Sequence, residues 1–118
     1  MTDKLLIHAS SGGEDAERAS LPWIFGNKAL LAGQEVSIML TMEAVRLVTE
    51  GGADGIQHAG HPPLPDLIRE FVGGGGTVWA CETCTKPRGI TDVVDGAEIR
   101  GAVTVVEYLA SGAASLTF

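Results

Sequence analysis

A strand, a turn and a helix follow one another in residues 5–20, LLIHASSGGEDAERAS. The apolar run at the start of this stretch is typical of a buried strand, and the Ser-Ser-Gly-Gly after it predicts a tight turn. Acidic residues then suit the positive end of a helix dipole, which predicts a helix from Asp15 to Gly33. Pro22 would kink this helix, or the helix would begin late with Ser20 as its N-cap. The stretch therefore predicts one strand-helix unit.

The same order of strand and helix recurs along the rest of the chain. Further strands are predicted over 35–40, 77–80 and 115–118, and further helices over 42–48, 64–72 and 102–110. Residues 53–63 and 90–100 have no clear period and are expected to form loops. Because such alternation pairs strands in parallel through right-handed crossovers, the sequence predicts one doubly wound α/β domain over residues 1–118, with helices on both faces of the sheet.

Composition excludes several classes of protein. The chain has 118 residues, a length that suits one domain. Its 15 acidic and 8 basic residues give a net charge of -7, which repels nucleic-acid phosphates and anionic lipid surfaces. The apolar run near the N-terminus is too short for a signal peptide, and no later run approaches the length of a membrane span. We therefore expect a cytoplasmic protein that binds neither nucleic acid nor membranes.

Hydropathy adds an expectation about assembly. The mean hydropathy is positive, at +0.21, although the net charge is -7. Such a balance favours a buried parallel sheet or an interface between subunits. We therefore expect an oligomer, in which Trp23 and Trp79 are anchors of the core or of the interface.

The two cysteines, Cys81 and Cys84, directly follow the strand predicted over 77–80. With no secretory signal, this pair excludes a disulfide framework and leaves a redox pair, a sulfur nucleophile, half of a metal site or two inert buried thiols. A thiol where a strand meets a helix lies near unpaired N–H groups, which favour the thiolate and its attack on sulfur electrophiles. Ligands of doubly wound sheets bind beyond the carboxyl ends of strands, so residues 10–14 and Thr41 are expected near this pair.

The three histidines give weaker signals. His58 and His61 precede the cysteine pair and would complete a set of four zinc ligands, although zinc sites usually place the cysteines first. Both also lie beside prolines, as surface-loop residues do. His8 ends the first predicted strand, where it is either a hydrogen-bonded core residue or a group that transfers protons.

Five pieces of the sequence carry a resemblance to a known family. They are LLIH (5–8) running into SSGGEDAER (10–18), GQEVSIML (33–40), GTVWACETC (76–84), RGI (88–90) and LTF (116–118). In order, spacing and total length they resemble the DsrE/DsrF-like family of small sulfur-relay proteins, with residues 53–63 the least similar part. The resemblance implies a flavodoxin-like three-layer sandwich with a mainly parallel sheet that assembles into homo-oligomers, commonly trimers or hexamers.

The resemblance also implies a function. In family members that transfer sulfur, one cysteine just after a central strand carries a persulfide and passes its sulfur to a partner protein, and Cys81 matches that position. Cys84 departs from the one-cysteine pattern and suggests that the persulfide is resolved internally, which releases sulfide and leaves a disulfide. This chemistry needs no metal or organic cofactor. Sheet topology alone suggests that Ser10, Ser11 and Gly12 stabilise the anionic persulfide through hydrogen bonds.

Other functions stay open at this point. The order Trp-Ala-Cys-Glu-Thr-Cys superficially resembles the Trp-Cys-x-x-Cys of thioredoxins and favours a thiol-disulfide oxidoreductase, but its tryptophan lies one residue too far from Cys81. A non-catalytic subunit that binds a small anion or a nucleotide at the glycine-rich edge is a second alternative, although the turn matches no nucleotide-binding pattern. Neither the sulfur donor nor the acceptor, whether a protein or a small persulfide, has a readable motif.

Overall fold

Strands and helices alternate along the chain as the sequence pattern predicts. The computed structural model describes residues 3–118, so Met1 and Thr2, which the single-domain prediction and the signal-peptide argument include, lie outside the described residues. The strands are β1 (Lys4–Ala9), β2 (Glu35–Leu40), β3 (Thr77–Cys81), β4 (Ala97–Arg100) and β5 (Ala114–Thr117). The α-helices are α1 (Ala16–Leu31), α2 (Leu64–Gly73), α3 (Glu82–Thr85) and α4 (Ala102–Ala110), with 3-10 helices at Met42–Val48 and Lys86–Arg88. Within this part of the chain, no helix has the length and apolar character needed to cross a membrane.

The five strands form one parallel sheet in the order β4-β3-β2-β1-β5. Strands β1 to β4 step across the sheet in one direction. The chain then returns through α4 and adds β5 to the other side of β1. The predicted α/β architecture, a parallel sheet with helices on both faces, is confirmed.

The main core lies between one face of the sheet and the helices α1, Met42–Val48 and α2. Trp23 of α1 is fully buried and meets the ring of Phe71 edge to face, with 5.6 Å between the ring centroids. The apolar positions of α2 repeat every three or four residues, so one face of this helix is buried: Leu64, Leu67, Ile68 and Phe71. Each buried side chain of this size stabilises the fold by about 1.5–3 kcal/mol.

The opposite face of the sheet is covered by α4. A smaller apolar cluster lies there, made of Leu6, Met39, Trp79 and Cys81, with Val105 and Tyr108 of α4 packed against it. The rings of Trp79 and Tyr108 meet edge to face at 5.4 Å. No residue of α4 is fully buried, and the side chains of Val103 and Val106 are 68% and 62% exposed. This thin layer leaves space between α4 and the sheet.

Helix α1 begins where its N-terminal acids predict. Asp15 is the N-cap, and its carboxylate accepts a hydrogen bond from the backbone N–H of Arg18 at 3.0 Å. The alternative start with Ser20 as N-cap is wrong, because the hydroxyl of Ser20 instead donates to the carbonyl of Ala16 at 2.7 Å. Pro22 therefore lies inside the helix, where it is buried.

Strand β4 is the one element that the sequence pattern missed, since it lies in the segment predicted as a loop. Its four residues alternate between half-buried (Ala97, Ile99) and exposed (Glu98, Arg100). Edge strands are commonly this short and carry charged side chains, so the period is too brief to read from sequence. The segment predicted as a helix over 42–48 is a 3-10 helix.

Candidate functional site

The two thiols lie where β3 passes into α3. Cys81 is the last residue of β3, and Cys84 lies in the single turn of α3. Cys81 is 8% exposed, Cys84 is half-buried, and both are free cysteines. The strand-helix junction therefore presents both sulfurs within one turn of chain, at the carboxyl edge of the sheet, as predicted.

Thr41, at the end of the neighbouring strand, lies beside Cys81, and His8 lies one strand further along the sheet. Leu40 pairs with Ala80, so Thr41 and Cys81 come next on adjacent strands, which lie about 4.8 Å apart in a sheet. His8 is on the far side of β2, and its Nε2 is joined to the Oγ1 of Thr41 by a hydrogen bond of 2.7 Å. Thr41 thus stands between the imidazole and the thiol. The sequence expectation that Thr41 lies near the cysteine pair is met.

A cavity of about 360 Å³ opens between these side chains and α4. Its lining residues are Leu6, His8, Met39, Thr41, Cys81, Ala102, Val105, Val106, Leu109, Ser115 and Thr117. Ligand pockets commonly enclose about 300–1,000 Å³, so this cavity has the size for a small molecule. None of the described residues that line it is lysine, arginine, aspartate or glutamate. A small apolar group can therefore lie against Cys81, whereas a charged group finds no formal counter-ion there.

Arg88 holds the turn after the cysteines in place. Its Nη1 donates to the carbonyl of Cys84 at 3.1 Å, and its Nε donates to Oε2 of Glu43 at 2.7 Å. Glu43 also accepts a hydrogen bond from Arg46 at 3.0 Å. The hydrogen bonds from Arg88 and Arg46 lower the pKa of the Glu43 carboxyl below its ordinary value. The Glu43–Arg88 pair thus ties the cysteine turn to the 3-10 helix that follows β2.

The turn formed by Ser10, Ser11 and Gly12 lies at the same edge of the sheet, but it follows β1, which is separated from β3 by β2. Ser11 is buried, and the hydroxyl of Ser10 donates to the carbonyl of Phe118 at 3.0 Å. None of the three is among the described residues that line the cavity beside Cys81. Their predicted role in stabilising a persulfide stays a prediction.

Gly12 is hydrogen-bonded to one glutamate and lies close to the backbone of another. Its N–H donates to Oε1 of Glu14 at 2.7 Å. A Cβ at this position would lie 2.6 Å from the carbonyl oxygen of Glu43, so the close approach of the two backbones requires glycine. An anion at this turn would have to displace the carboxylate of Glu14.

The loop histidines lie together, and one of them lies near Glu17 of α1. The rings of His58 and His61 stack with their centroids 4.8 Å apart, and Nε2 of His58 lies 3.4 Å from Oε2 of Glu17. Residues 3–118 contain no group of three or more His, Cys, Asp or Glu side chains placed to hold a metal ion. The described structure therefore does not assemble the four-ligand zinc set that the sequence offered.

A larger depression of about 570 Å³ lies on the α2 face of the protein. Its walls include Ile68 and Val72 of α2, together with Asp54 and Asp95. The described residues that line it include no cysteine or histidine, so it offers no group for thiol chemistry. The smaller cavity beside Cys81 is the better candidate for a reacting site.

Sequence reasoning identified Cys81 and left the role of His8 open, but it assigned none to Glu43 or to Val106. Val106 reaches the site because α4 crosses the sheet, which no local pattern reveals. Glu43 lies in the first turn of the 3-10 helix, three residues before Arg46. That spacing is a signal for a local ion pair, though not for the contact with Arg88.

Comparison with known proteins agrees with the fold. Residues 3–118 match the sequence profile of the DsrE/DsrF-like family. The uncharacterized protein MJ0760 of Methanocaldococcus jannaschii is 32% identical over 109 residues, which are 91% of this chain and 40% of that protein. The uncharacterized protein MK0008 of Methanopyrus kandleri is 30% identical over 109 residues, or 91% of this chain and 87% of that protein. The chain thus spans less than half the length of the first of these relatives.

Two solved structures have the same fold. The ychN protein from E. coli superposes with a TM-score of 0.79 at 22% identity, and each chain is covered completely. The protein of unknown function MTH1491 from Methanobacterium thermoautotrophicum gives a TM-score of 0.72 at 17% identity, with 98% of each chain covered. At these identities the likeness concerns the fold alone. The family profile over almost the whole chain confirms the resemblance read from the sequence: the chain belongs to the DsrE/DsrF-like family.

Proposed function

We propose that this protein carries sulfane sulfur as a persulfide on Cys81 and passes it to an acceptor. The observation that carries the proposal is the position of Cys81, which ends a strand inside the sheet and lines a cavity together with His8 and Thr41. Membership of the DsrE/DsrF-like family supports the same role. The donor and the acceptor are sulfur-carrying proteins or small persulfides.

Loading of Cys81 needs no outside oxidant. The thiolate of Cys81 attacks the outer sulfur of a donor persulfide, R–S–S–H, and a new S–S bond forms while the S–S bond of the donor breaks. The electron pair of the broken bond leaves with the donor as a thiolate, which takes a proton from the surroundings. The transferred sulfur keeps its oxidation state. Delivery is the same exchange with the roles changed: an acceptor thiolate attacks the outer sulfur of the Cys81 persulfide, and Cys81 leaves as a thiolate.

Cys84 allows the sulfur to be released as sulfide instead of being transferred to an acceptor. Its thiolate attacks the inner sulfur of the Cys81 persulfide, which forms a Cys81–Cys84 disulfide and expels hydrosulfide. The two cysteine sulfurs are oxidised and the outer sulfur is reduced to sulfide, so electrons balance within the chain. The position of Cys84 within one turn of Cys81 supports this step. A reductant must then restore the dithiol.

Ser10, Ser11 and Gly12 enter the proposal as groups that stabilise the anionic persulfide. The role requires that the turn exchange its present contacts with Phe118 and Glu14 for contacts to sulfur. Replacing both serines by alanine tests it. A slower transfer with an unchanged melting temperature supports the role, and an unchanged transfer rate removes it.

The proposal includes self-association into trimers or hexamers. Val103 and Val106 give α4 an exposed apolar surface, and Leu31 of α1 is 80% exposed. Exposed apolar surface of this kind marks interaction sites. Light scattering coupled to size-exclusion chromatography measures the assembly directly, and a monomer at micromolar concentration would contradict this part of the proposal.

Intact-protein mass spectrometry tests the sulfur-carrier role. Wild type, Cys81→Ser and Cys84→Ser are incubated with a low-molecular-weight persulfide, each with and without reductant. We expect a reductant-sensitive gain of one sulfur, roughly 32 Da, that persists in Cys84→Ser, is converted to a Cys81–Cys84 disulfide in wild type as Cys84 resolves it, and is absent from Cys81→Ser. A loss of about two hydrogens in wild type, together with no sulfur gain in Cys84→Ser, would instead indicate a thiol-disulfide oxidoreductase, because resolution of a persulfide by Cys84 also leaves a Cys81–Cys84 disulfide. No mass change in any variant would favour a non-catalytic binding subunit.

A further inference from the structure

The cavity beside Cys81 has apolar walls on opposite sides. Leu6 and Met39 of the sheet form one side, and Val105 and Leu109 of α4 form the other. Cys81 lies in the same lining, so a molecule held between these walls would lie against the thiol. Contact with a reacting group and an apolar enclosure of small-molecule size are the features of a substrate pocket.

Charge excludes some occupants of this cavity. Its described lining contains no lysine or arginine, and the side chain of Arg88, near the cysteine turn, is already paired with Glu43. The whole chain carries a net charge of -7, which repels anions at longer range. A carboxylate placed in the cavity would lose its water and could gain hydrogen bonds from the hydroxyls of Thr41, Ser115 and Thr117, but no lysine or arginine counter-ion, which is unfavourable. His8 is the titratable nitrogen in the lining, and it is hydrogen-bonded to Thr41.

We infer that this cavity binds the organic group of the sulfur donor, and that the donor is a small hydropersulfide whose organic group is uncharged and apolar. The inference rests on the proposed function and names the substrate class of the same site. The apolar walls hold the alkyl or aryl group, while Cys81 faces the outer sulfur. Glutathione hydropersulfide, which carries two carboxylates, is a poor donor for this pocket.

The step is the loading reaction already described, with the donor seated in the cavity. The thiolate of Cys81 attacks the outer sulfur, the donor's S–S bond breaks, and an apolar thiolate remains between the sheet and α4. This thiolate takes one proton, from solvent or through the His8–Thr41 pair, and leaves as a neutral thiol. No other co-reactant is consumed.

Two donors with the same reacting group test the inference. Reduced protein is mixed with tert-butyl hydropersulfide or with glutathione hydropersulfide, and intact-protein mass spectrometry follows the loading rate of Cys81 as the sum of the persulfide and the Cys81–Cys84 disulfide that it yields. Each rate is divided by that of the same donor with free cysteine, which removes differences in intrinsic reactivity. We expect the tert-butyl donor to load Cys81 at least about tenfold faster, since a tenfold ratio requires only about 1.4 kcal/mol of discrimination.

A matched pair of variants on α4 locates the selectivity. Val106 lines the cavity and is 62% exposed, whereas Val103 lies outside the lining and is 68% exposed. Both Val106→Arg and Val103→Arg add one positive charge to the same helix, and size-exclusion chromatography compares their assembly. We expect Val106→Arg to shift the ratio of the two loading rates toward glutathione hydropersulfide by several fold. Val103→Arg should leave the ratio as in wild type.

The possible results separate this inference from the proposed function. Equal normalised rates in wild type, a preference for the glutathione donor, or the same ratio in all three proteins would overturn the inference, while loading of Cys81 would still stand. No loading of Cys81 from either donor would overturn both. The expected preference, reduced only in Val106→Arg, supports the cavity as the donor site.

Discussion

His8 and Thr41 are joined by a hydrogen bond of 2.7 Å between Nε2 and Oγ1, across the carboxyl ends of β1 and β2. Thr41 precedes a 3-10 helix, yet its hydroxyl makes no capping hydrogen bond to that helix. The hydroxyl instead lies between the imidazole and the carbonyl of Ala9, to which it donates at 3.5 Å. Because a hydroxyl both donates and accepts, the pair is a candidate route for a proton in the proposed loading of Cys81.

Replacing Thr41 by valine should slow the loading of Cys81. The substitution keeps the shape of the side chain and removes the partner of His8. Loss of one hydrogen bond of about 1 kcal/mol corresponds to a rate about fivefold lower. Thr41→Ser is the matched control, since it keeps the hydroxyl and should restore the rate. Equal rates in Thr41→Val and Thr41→Ser, with equal melting temperatures, would show that the hydroxyl has no part in the reaction.

Two glycines near α2 should respond oppositely to alanine. A Cβ on Gly76 would lie 2.3 Å from the ring of Phe71, which is fully buried and rests on Trp23. Overpacking of this kind costs about 1–3 kcal/mol, so Gly76→Ala should lower the free energy of unfolding in urea. Nothing lies within 4 Å of a Cβ on Gly73, so Gly73→Ala should raise it by about 0.4–1 kcal/mol. A stabilised Gly76→Ala would contradict this packing.

How much of the fold a sequence reveals depends on where its determinants lie. β2 was predicted with its observed bounds, because an apolar run with a glycine turn before it is a local signal. The amphipathic period of α2 is equally local. β4 depends instead on pairing with β3 at the edge of the sheet. Its four residues show the alternation of half-buried and exposed side chains only twice, with Ala97 and Ile99 as the half-buried pair.

The parts of the candidate site that depend on local sequence were likewise predictable, and the parts that depend on tertiary contacts were not. The position of Cys81 follows from a local strand-helix junction, so the sequence alone indicated it. The cavity does not follow, because it depends on the path of α4 across the sheet and on the register that brings His8 to Thr41. The contact between Glu43 and Arg88 joins residues 45 positions apart and has no local signature.

Glu43→Gln should destabilise the protein at neutral pH and matter less in acid. Hydrogen bonds from Arg88 and Arg46 lower the pKa of Glu43 in the folded state below its ordinary 4.5. The stability from this carboxylate is therefore present above pH 4.5 and is lost as the pH falls through the lower folded value. Melting temperatures of wild type and variant should converge in acid. Glu50→Gln, an exposed glutamate, is the control, and a gap that stays constant down to pH 3 would contradict the pairing.

The phenol of Tyr108 should lose its proton at a higher pH than an ordinary tyrosine. Burial, as the largest cause, raises its pKa to about 12, and its hydroxyl donates to the carbonyl of Glu35 at 3.3 Å. The chain has one tyrosine, so phenolate absorbance reports this side chain alone. Since the folded value lies above the unfolded 10.0, its contribution to stability is full below pH 10 and is lost as the pH rises toward 12. Tyr108→Phe should lack that alkaline loss, and a phenolate transition at pH 10 in folded protein would contradict the burial.

Cys84→Ser should lengthen the life of the persulfide on Cys81. In the proposed reaction of wild type, attack by Cys84 on the inner sulfur expels hydrosulfide and forms a disulfide, so each loaded chain is expected to release one sulfide. A serine hydroxyl is a far weaker nucleophile toward sulfur, so sulfide release without added thiol should fall to background while the sulfur gain on Cys81 persists. Methylene-blue assay of sulfide and intact mass of the protein measure both on one sample. Cys81→Ser is the control and should neither load nor release. Equal sulfide release from wild type and Cys84→Ser would show that Cys84 does not resolve the persulfide, and Cys81 would then act as a one-cysteine carrier.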